Sequence, residues 1–219
     1  MKNAPKIYLI HAAAVSIPPV VASFCENWPE AKVVNLLEDA LMTDLAEDGK
    51  LTDAMIERFV HIGKYCVKAS ADAILFCCSA FGPAIEECRR QVSIPILKPN
   101  EAMYEQLVAK SGTVNLLATF PPSLPSMLVE IAAYAKDRGT NVTVESHLVD
   151  GALDALMNNQ HDEHNRLIAE AAAGQMACDI IALAQFSMAP ASAVAAKRTA
   201  TPILTTPDSA VAKLKTLLA

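Results

Sequence analysis

Two adjacent cysteines are the residues of this chain best suited to chemistry. In Cys77-Cys78-Ser79-Ala80-Phe81-Gly82-Pro83 an apolar run gives way to a polar turn, and the proline suits the first turn of a following helix. A thiol at such a junction lies beside backbone N–H groups, a setting that favours thiolate over thiol and also binds carboxylates. Successive residues of a regular strand point to opposite faces, so at most one of the two thiols faces a cleft. Both can equally be small core residues, because free cysteine is commonly buried.

Gln185-Phe186-Ser187-Met188-Ala189-Pro190 offers an amide and a hydroxyl at the same kind of junction. Gln185 stands out in an otherwise apolar strand, because a buried amide needs partners, and that points to a site role. Ser187 reads either as a carboxylate ligand or as an ordinary helix cap. Two loops, His11-Ala12-Ala13-Ala14-Val15 and Thr119-Phe120-Pro121-Pro122-Ser123, follow further apolar runs. Thr119 is a binding candidate; His11 is either a binding group or a polar strand end. His161-Asp162-Glu163-His164 places two histidines on one helix face. Nothing else nearby has ligand spacing, so the segment reads as a solvated helix start and no metal is expected. Neither GxGxxG nor GxxxxGKS/T occurs, which leaves nucleotide cofactors without a motif.

These segments are related to one another. At an offset of 107 residues, the distance from Cys78 to Gln185, residues 72–84 match residues 179–191. The same shift carries Pro95-Ile96-Leu97 onto Pro202-Ile203-Leu204, and Leu9, Ser16 and Pro18 onto Leu116, Ser123 and Pro125. A repeat this long has the size of a small domain. Strands are expected over 6–11, 31–36, 72–77 and 94–97, and again over 113–118, 142–147, 179–184 and 202–205. Helices are expected at about 17–27, 52–70, 83–91, 100–111, 123–138, 163–176, 188–198 and 208–218. Short apolar strands alternating with helices signal parallel sheets covered on both faces. The fold class is therefore α/β: two pseudo-symmetric, doubly wound, Rossmann-like halves, 1–98 plus 206–219 and 99–205. If the halves pair about a pseudo-twofold, the loops after their first strands reach one cleft.

Composition narrows the function. With 53% apolar and 19% charged residues the chain can bury a sizeable core. A net charge of −6 without a Lys/Arg cluster argues against a nucleic-acid partner. The six cysteines have no CxxC or zinc spacing, which suits reduced thiols in a cytoplasmic protein. The opening residues read as the first strand rather than a leader, and no stretch approaches the roughly 20 apolar residues needed to span a membrane.

At the repeats, the Cys78-Ser79 strand end, Leu117-Ala118-Thr119, Asp150-Gly151-Ala152-Leu153 and the strand end at 183–188, the chain resembles the aspartate/glutamate/hydantoin racemase superfamily, with its maleate isomerase and arylmalonate decarboxylase relatives. The resemblance covers most of the chain. It implies two α/β halves with the active site between them, no cofactor, and acid/base chemistry at a carbon next to a carboxylate. In the racemases two cysteines, one from each half, serve the two faces of the substrate. The first falls on Cys78. The second falls on Gln185, and an amide does not exchange protons at neutral pH. The resemblance thus implies single-thiol chemistry, in which Cys78 transfers a proton or attacks carbon. Ser79, Thr119 and Ser187 would hold carboxylate oxygens, His11 is a further binding candidate, and Gln185 would orient the substrate or an oxyanion. The expected partners are a small carboxylate and, by resemblance and base rate, a second copy in a homodimer. The alternative is a non-catalytic carboxylate-binding module of the same fold; a cysteine hydrolase ranks lowest, because no histidine can be paired with Cys78 from sequence.

Overall fold

Two four-stranded parallel sheets organise the molecule. A computed structural model describes residues 4–174 and 177–219, so the last two positions of the helix expected over 163–176 lie outside the described residues. The chain divides into two compact units, Met1–Glu101 with Ala210–Ala219, and Ala102–Ser209.

The first unit carries β1 (Lys6–His11), α1 (Ile17–Asn27), β2 (Lys32–Leu37), α2 (Ala40–Asp48), α3 (Asp53–Lys68), β3 (Ala73–Phe76), α4 (Gly82–Gln91) and β4 (Ile96–Leu97). Its strands lie in the order β2-β1-β3-β4. Tyr8, Ile10, Ile74 and Phe76 pack under Phe59, Val60, Ile85 and Cys88 of α3 and α4. The two helices approach closely because Gly63 has no side chain: a Cβ there would meet the Cys88 sulfur at 2.3 Å. Thr52 starts α3 by accepting the Met55 N–H, the cap expected of threonine before a helical run.

The second unit holds α5 (Glu101–Lys110), whose first residue belongs to the first unit, then β5 (Gly112–Ala118), α6 (Leu124–Arg138), β6 (Val142–Leu148), α7 (Ala152–Met157), α8 (His161–Ala173), β7 (Ile180–Leu183), α9 (Ser192–Ala195) and β8 (Ile203–Thr205). Its sheet order, β6-β5-β7-β8, repeats the first. The last helix, α10 (Thr206–Leu217), begins here and ends in the first unit, where Lys215 donates to the Asn27 carbonyl at 3.2 Å.

The sequence offset reappears bond for bond. Ile7 pairs with Ala73 as Val114 pairs with Ile180, and Ile74 with Ile96 as Ile181 with Ile203. The Asp72 carboxylate accepts the Lys6 N–H at 2.7 Å, and the Asp179 carboxylate accepts the Thr113 N–H at 2.8 Å. Gly112 makes room for the second of these: it has φ +98, and a Cβ would lie 2.4 Å from the Asp179 carboxylate oxygen.

Three elements differ from expectation. α2 was not expected, because only Leu41 in it is buried and its apolar pattern is faint. α7 is short and starts from Gly151 at φ +75, too brief for a periodic signal. Over 188–198 a single helix was expected; the chain instead makes a 3-10 turn at Phe186–Ala191 and then the four residues of α9. Pro190 lies inside that turn and has no N–H to give a helical ladder.

Candidate functional site

Each unit presents a small polar cluster where its first and third strands end, and the two clusters are built differently. In the first unit the β1–β3 ladder continues to Cys77, whose N–H donates to the Ile10 carbonyl at 2.8 Å. The Cys77 side chain is buried, with its sulfur 3.6 Å from the Leu75 carbonyl, and burial pushes its thiol well above the usual range. Cys78 follows in extended conformation, so its side chain turns to the opposite face. There it packs against the cluster under α3 and α4, is only partly buried, and directs its S–H to the Met42 thioether at 3.8 Å. Ser79, the next residue, is exposed at the start of a 3-10 turn, Ser79–Phe81.

The backbone N–H expected from sequence beside Cys78 is present, but burial outweighs it. Burial pushes its thiol up, opposed by a hydrogen bond from the Ala80 backbone. The helix adds little on the thiolate side, because α4 starts at Gly82 rather than at the cysteine and a helix dipole acts only within its first turn. Burial thus favours the thiol over the thiolate at Cys78.

His11 ends β1 and is 0% exposed. Its Nδ1 lies 2.6 Å from Ser16 Oγ and its Nε2 3.0 Å from Asn35 Oδ1, and Ser16 Oγ also lies 2.9 Å from the Ala13 carbonyl. Burial pushes the imidazole pKa down, countered by the Asn35 bond. With both ring nitrogens engaged, His11 closes the 12–16 loop from beneath.

In the second unit Thr119 follows β5 and is buried. Its N–H donates to Gln185 Oε1 at 3.0 Å, and Gln185 Nε2 donates to Ser123 Oγ at 3.0 Å. Ser123 Oγ donates in turn to the Phe120 carbonyl at 2.7 Å. One amide thus uses its acceptor and a donor to fasten the 119–123 loop to the end of β7. This accounts for the out-of-place glutamine: it has the partners a half-buried amide requires. Ser187 is half-buried in the 3-10 turn just beyond.

The structure therefore places Cys78 and Ser79 together on the first unit, with His11 beneath the neighbouring loop. Thr119 and Gln185 are bonded to each other on the second, with Ser187 two residues on. Sequence reasoning missed four participants. Ser16 and Ser123 matched in the repeat, which was their available signal. Asn35 was the one polar residue in Val33-Val34-Asn35-Leu36-Leu37. Met42 had no signal, because α2 itself was not expected. His164 is buried with Nδ1 3.1 Å from Asn165 Oδ1, and among the described residues no group of three His, Cys, Asp or Glu side chains is arranged to hold a metal ion. Among the described residues no helix is long and apolar enough to cross a membrane.

Residues 16–214 match the family model described as Asp/Glu/Hydantoin racemase. No curated protein matches the chain. Among solved structures, a glutamate racemase from Bacillus anthracis is similar over 99% of this chain and 82% of its own, at 13% identity and a TM-score of 0.71. An allantoin racemase from Klebsiella pneumoniae is similar over 98% of this chain and 88% of its own, with 13% identity and a TM-score of 0.68. Arylmalonate decarboxylase is similar over 98% of this chain and 93% of its own, with 16% identity and a TM-score of 0.66. At these identities the likeness is one of fold.

Proposed function

From the premise that the chain belongs to the Asp/Glu/hydantoin racemase family, we propose that it is a cofactor-independent isomerase or lyase acting on a small carboxylate, with Cys78 as its one proton-transferring thiol. The observation that carries this reading is the contrast between matched positions: a partly exposed thiol at Cys78, and at Gln185 an amide already committed to Thr119 and Ser123. Inverting a stereocentre through a planar carbanion requires an acid on one face and a base on the other. An amide supplies neither, so one face is served and the other is not.

The protonation state of Cys78 sharpens the reading. A thiol held neutral by burial is first an acid. It suits delivery of a proton to a carbanion or enolate, whose carbon–hydrogen bond forms as the sulfur becomes thiolate; solvent then reprotonates the sulfur. In a decarboxylation the electron pair of the breaking carbon–carboxylate bond becomes that carbanion as carbon dioxide leaves. Ser79, Thr119 and Ser187 are assigned to carboxylate oxygens, and hydroxyl or backbone donors at such positions stabilise charge that develops in the transition state. Gln185 acts by holding the Thr119 loop. His11 acts by holding the loop that ends at Ser16.

The test is turnover in D2O followed by proton NMR, with aspartate, glutamate, hydantoins, maleate and arylmalonates offered to wild type and to Cys78→Ser. Deuterium appearing at a carbon next to a carboxylate in wild type and not in the variant supports the reading. Equal turnover by both proteins would remove Cys78 from the chemistry. A wild type that binds a carboxylate and protects Cys78 from alkylation, yet turns nothing over, would favour a binding module.

A further inference from the structure

A second surface lies on the outer side of α3 and α4. Two grooves run along it, of about 650 and 450 Å³, and they share His61, Lys64 and Gln91, so they form one continuous face. Ile56 and Val60 line one groove; Tyr65 and Val67, 54% and 36% exposed, line the other.

On α4 this face carries Glu87 and Arg90, which pair with each other; the charges of α3 are ordered. Asp53, Glu57, Lys64 and Lys68 are all exposed. At about 100° per residue they fall within an arc of about 60°, a single stripe along the helix. The stripe is acidic at its amino end and basic at its carboxyl end. Asp53–Lys68 and Glu57–Lys64 have a common midpoint, between Val60 and His61. An identical helix laid antiparallel across that midpoint would meet all these charges with opposite ones, each pair occurring twice. A uniformly charged partner would be repelled by half the stripe, so the complement of this surface is the surface itself, turned round.

We infer that two copies of the chain pair through this face, α3 against α3, antiparallel about a twofold axis passing between Val60 and His61. The apolar floor supplies affinity and the charges set register, since exposed ion pairs contribute little individually. The charge order also suits the helix's own dipole, and the test separates the two explanations.

Sedimentation equilibrium on the full chain reads the association directly. Wild type is expected to be dimeric at tens of micromolar. Asp53→Lys with Glu57→Lys, and separately Lys64→Glu with Lys68→Glu, should each weaken self-association by about tenfold or more, from the loss of several surface pairs. An equimolar mixture of the two variants should associate again, because every contact is then attractive; a helix-dipole role predicts no such recovery. A monomeric wild type, variants that associate as wild type does, or a mixture that stays monomeric would overturn the proposal. Cysteine placement checks the register without reversing charge. His61→Cys, beside the axis, should cross-link its copy under mild oxidation. Asp53→Cys, about 22 Å from its counterpart along the helix, should not, and the reverse pattern would overturn the register.

Discussion

The two units share a sheet order, a strand register and even a carboxylate-to-N–H bond at matched aspartates, yet their third strands end in side chains of opposite use. Cys78 is held loosely, by a thioether and one backbone bond. Gln185 is held tightly, with its amide spent on Thr119 and Ser123. The first unit carries a group that can change its proton count, and the second carries one that fixes a loop. On the proposed function, a duplicated scaffold keeps its architecture while the two copies of a strand end part into chemistry and support.

The largest effect should come from removing the chemistry. Cys78→Ala is expected to lower kcat by about 10²–10⁴-fold, the range for a positioned acid or base, with unfolding by urea little changed. Loss of stability without loss of rate would reverse the roles assigned to the two strand ends. A proton donor at Cys78 would act in its protonated form, and burial raises its pKa, so activity should hold through neutral pH and fall as pH rises through that raised pKa. The pH–rate profile of kcat measures this.

Gln185→Ala should act in the opposite manner. It leaves the Thr119 N–H without its acceptor and Ser123 Oγ without its donor, and is expected to destabilise the second unit by about 1–3 kcal/mol. Gln185→Glu keeps an acceptor for Thr119 and loses the donor to Ser123, so its cost should be intermediate. Hydrogen exchange at the Thr119 amide would locate the effect. Unchanged protection in Gln185→Ala would break the comparison.

The units should also part at high pH. Burial raises the Cys66 thiol to about 12 and the Cys88 thiol to about 11, and both lie in the first unit. A thiol whose folded pKa is raised is neutral in both states below its ordinary value of 9.0, so its contribution is intact there. Above that pH the unfolded chain loses the proton first, and stability falls as pH rises toward 11 and 12. Exchange-detected stability of the first unit should decline over this window, and Cys66→Ala should flatten the decline. A matching loss in the second unit would show that these thiols are not its cause.

The smallest effect tests what the units have in common. Asp72→Ala and Asp179→Ala each remove one equivalent bond to a backbone N–H at the start of a sheet, and each should cost about 0.5–1.5 kcal/mol in urea unfolding. The two costs should agree within about 0.5 kcal/mol. A clear difference would mean that the repeat is one of geometry and not of energetics.

Much of this was legible in the sequence. The strands of both units fell where apolar runs predicted them, because buried parallel strands leave continuous hydrophobic signatures such as Ala73-Ile74-Leu75-Phe76 and Ile180-Ile181-Ala182-Leu183. The repeat also brought Cys78 and Gln185 into correspondence. What stayed hidden was set by tertiary contacts. Nothing local says that Gln185 reaches Thr119, 66 residues away, or that His11 spends both nitrogens on Ser16 and Asn35. The state of the Cys78 thiol depended first on its burial and then on a three-residue turn that displaces α4, and a single proline reports neither.

On the proposed function, one face of the substrate is served by a thiol and the other by no proton carrier. The most direct measurement is the configuration of the product formed in D2O from a prochiral arylmalonate or other turned-over carboxylate, read by chiral chromatography with mass detection. One enantiomer, singly deuterated, is expected, and it should keep its configuration on prolonged incubation with enzyme. A racemic product, or steady racemisation of the isolated enantiomer by wild type, would show a second acid–base group opposite Cys78 and contradict single-thiol chemistry.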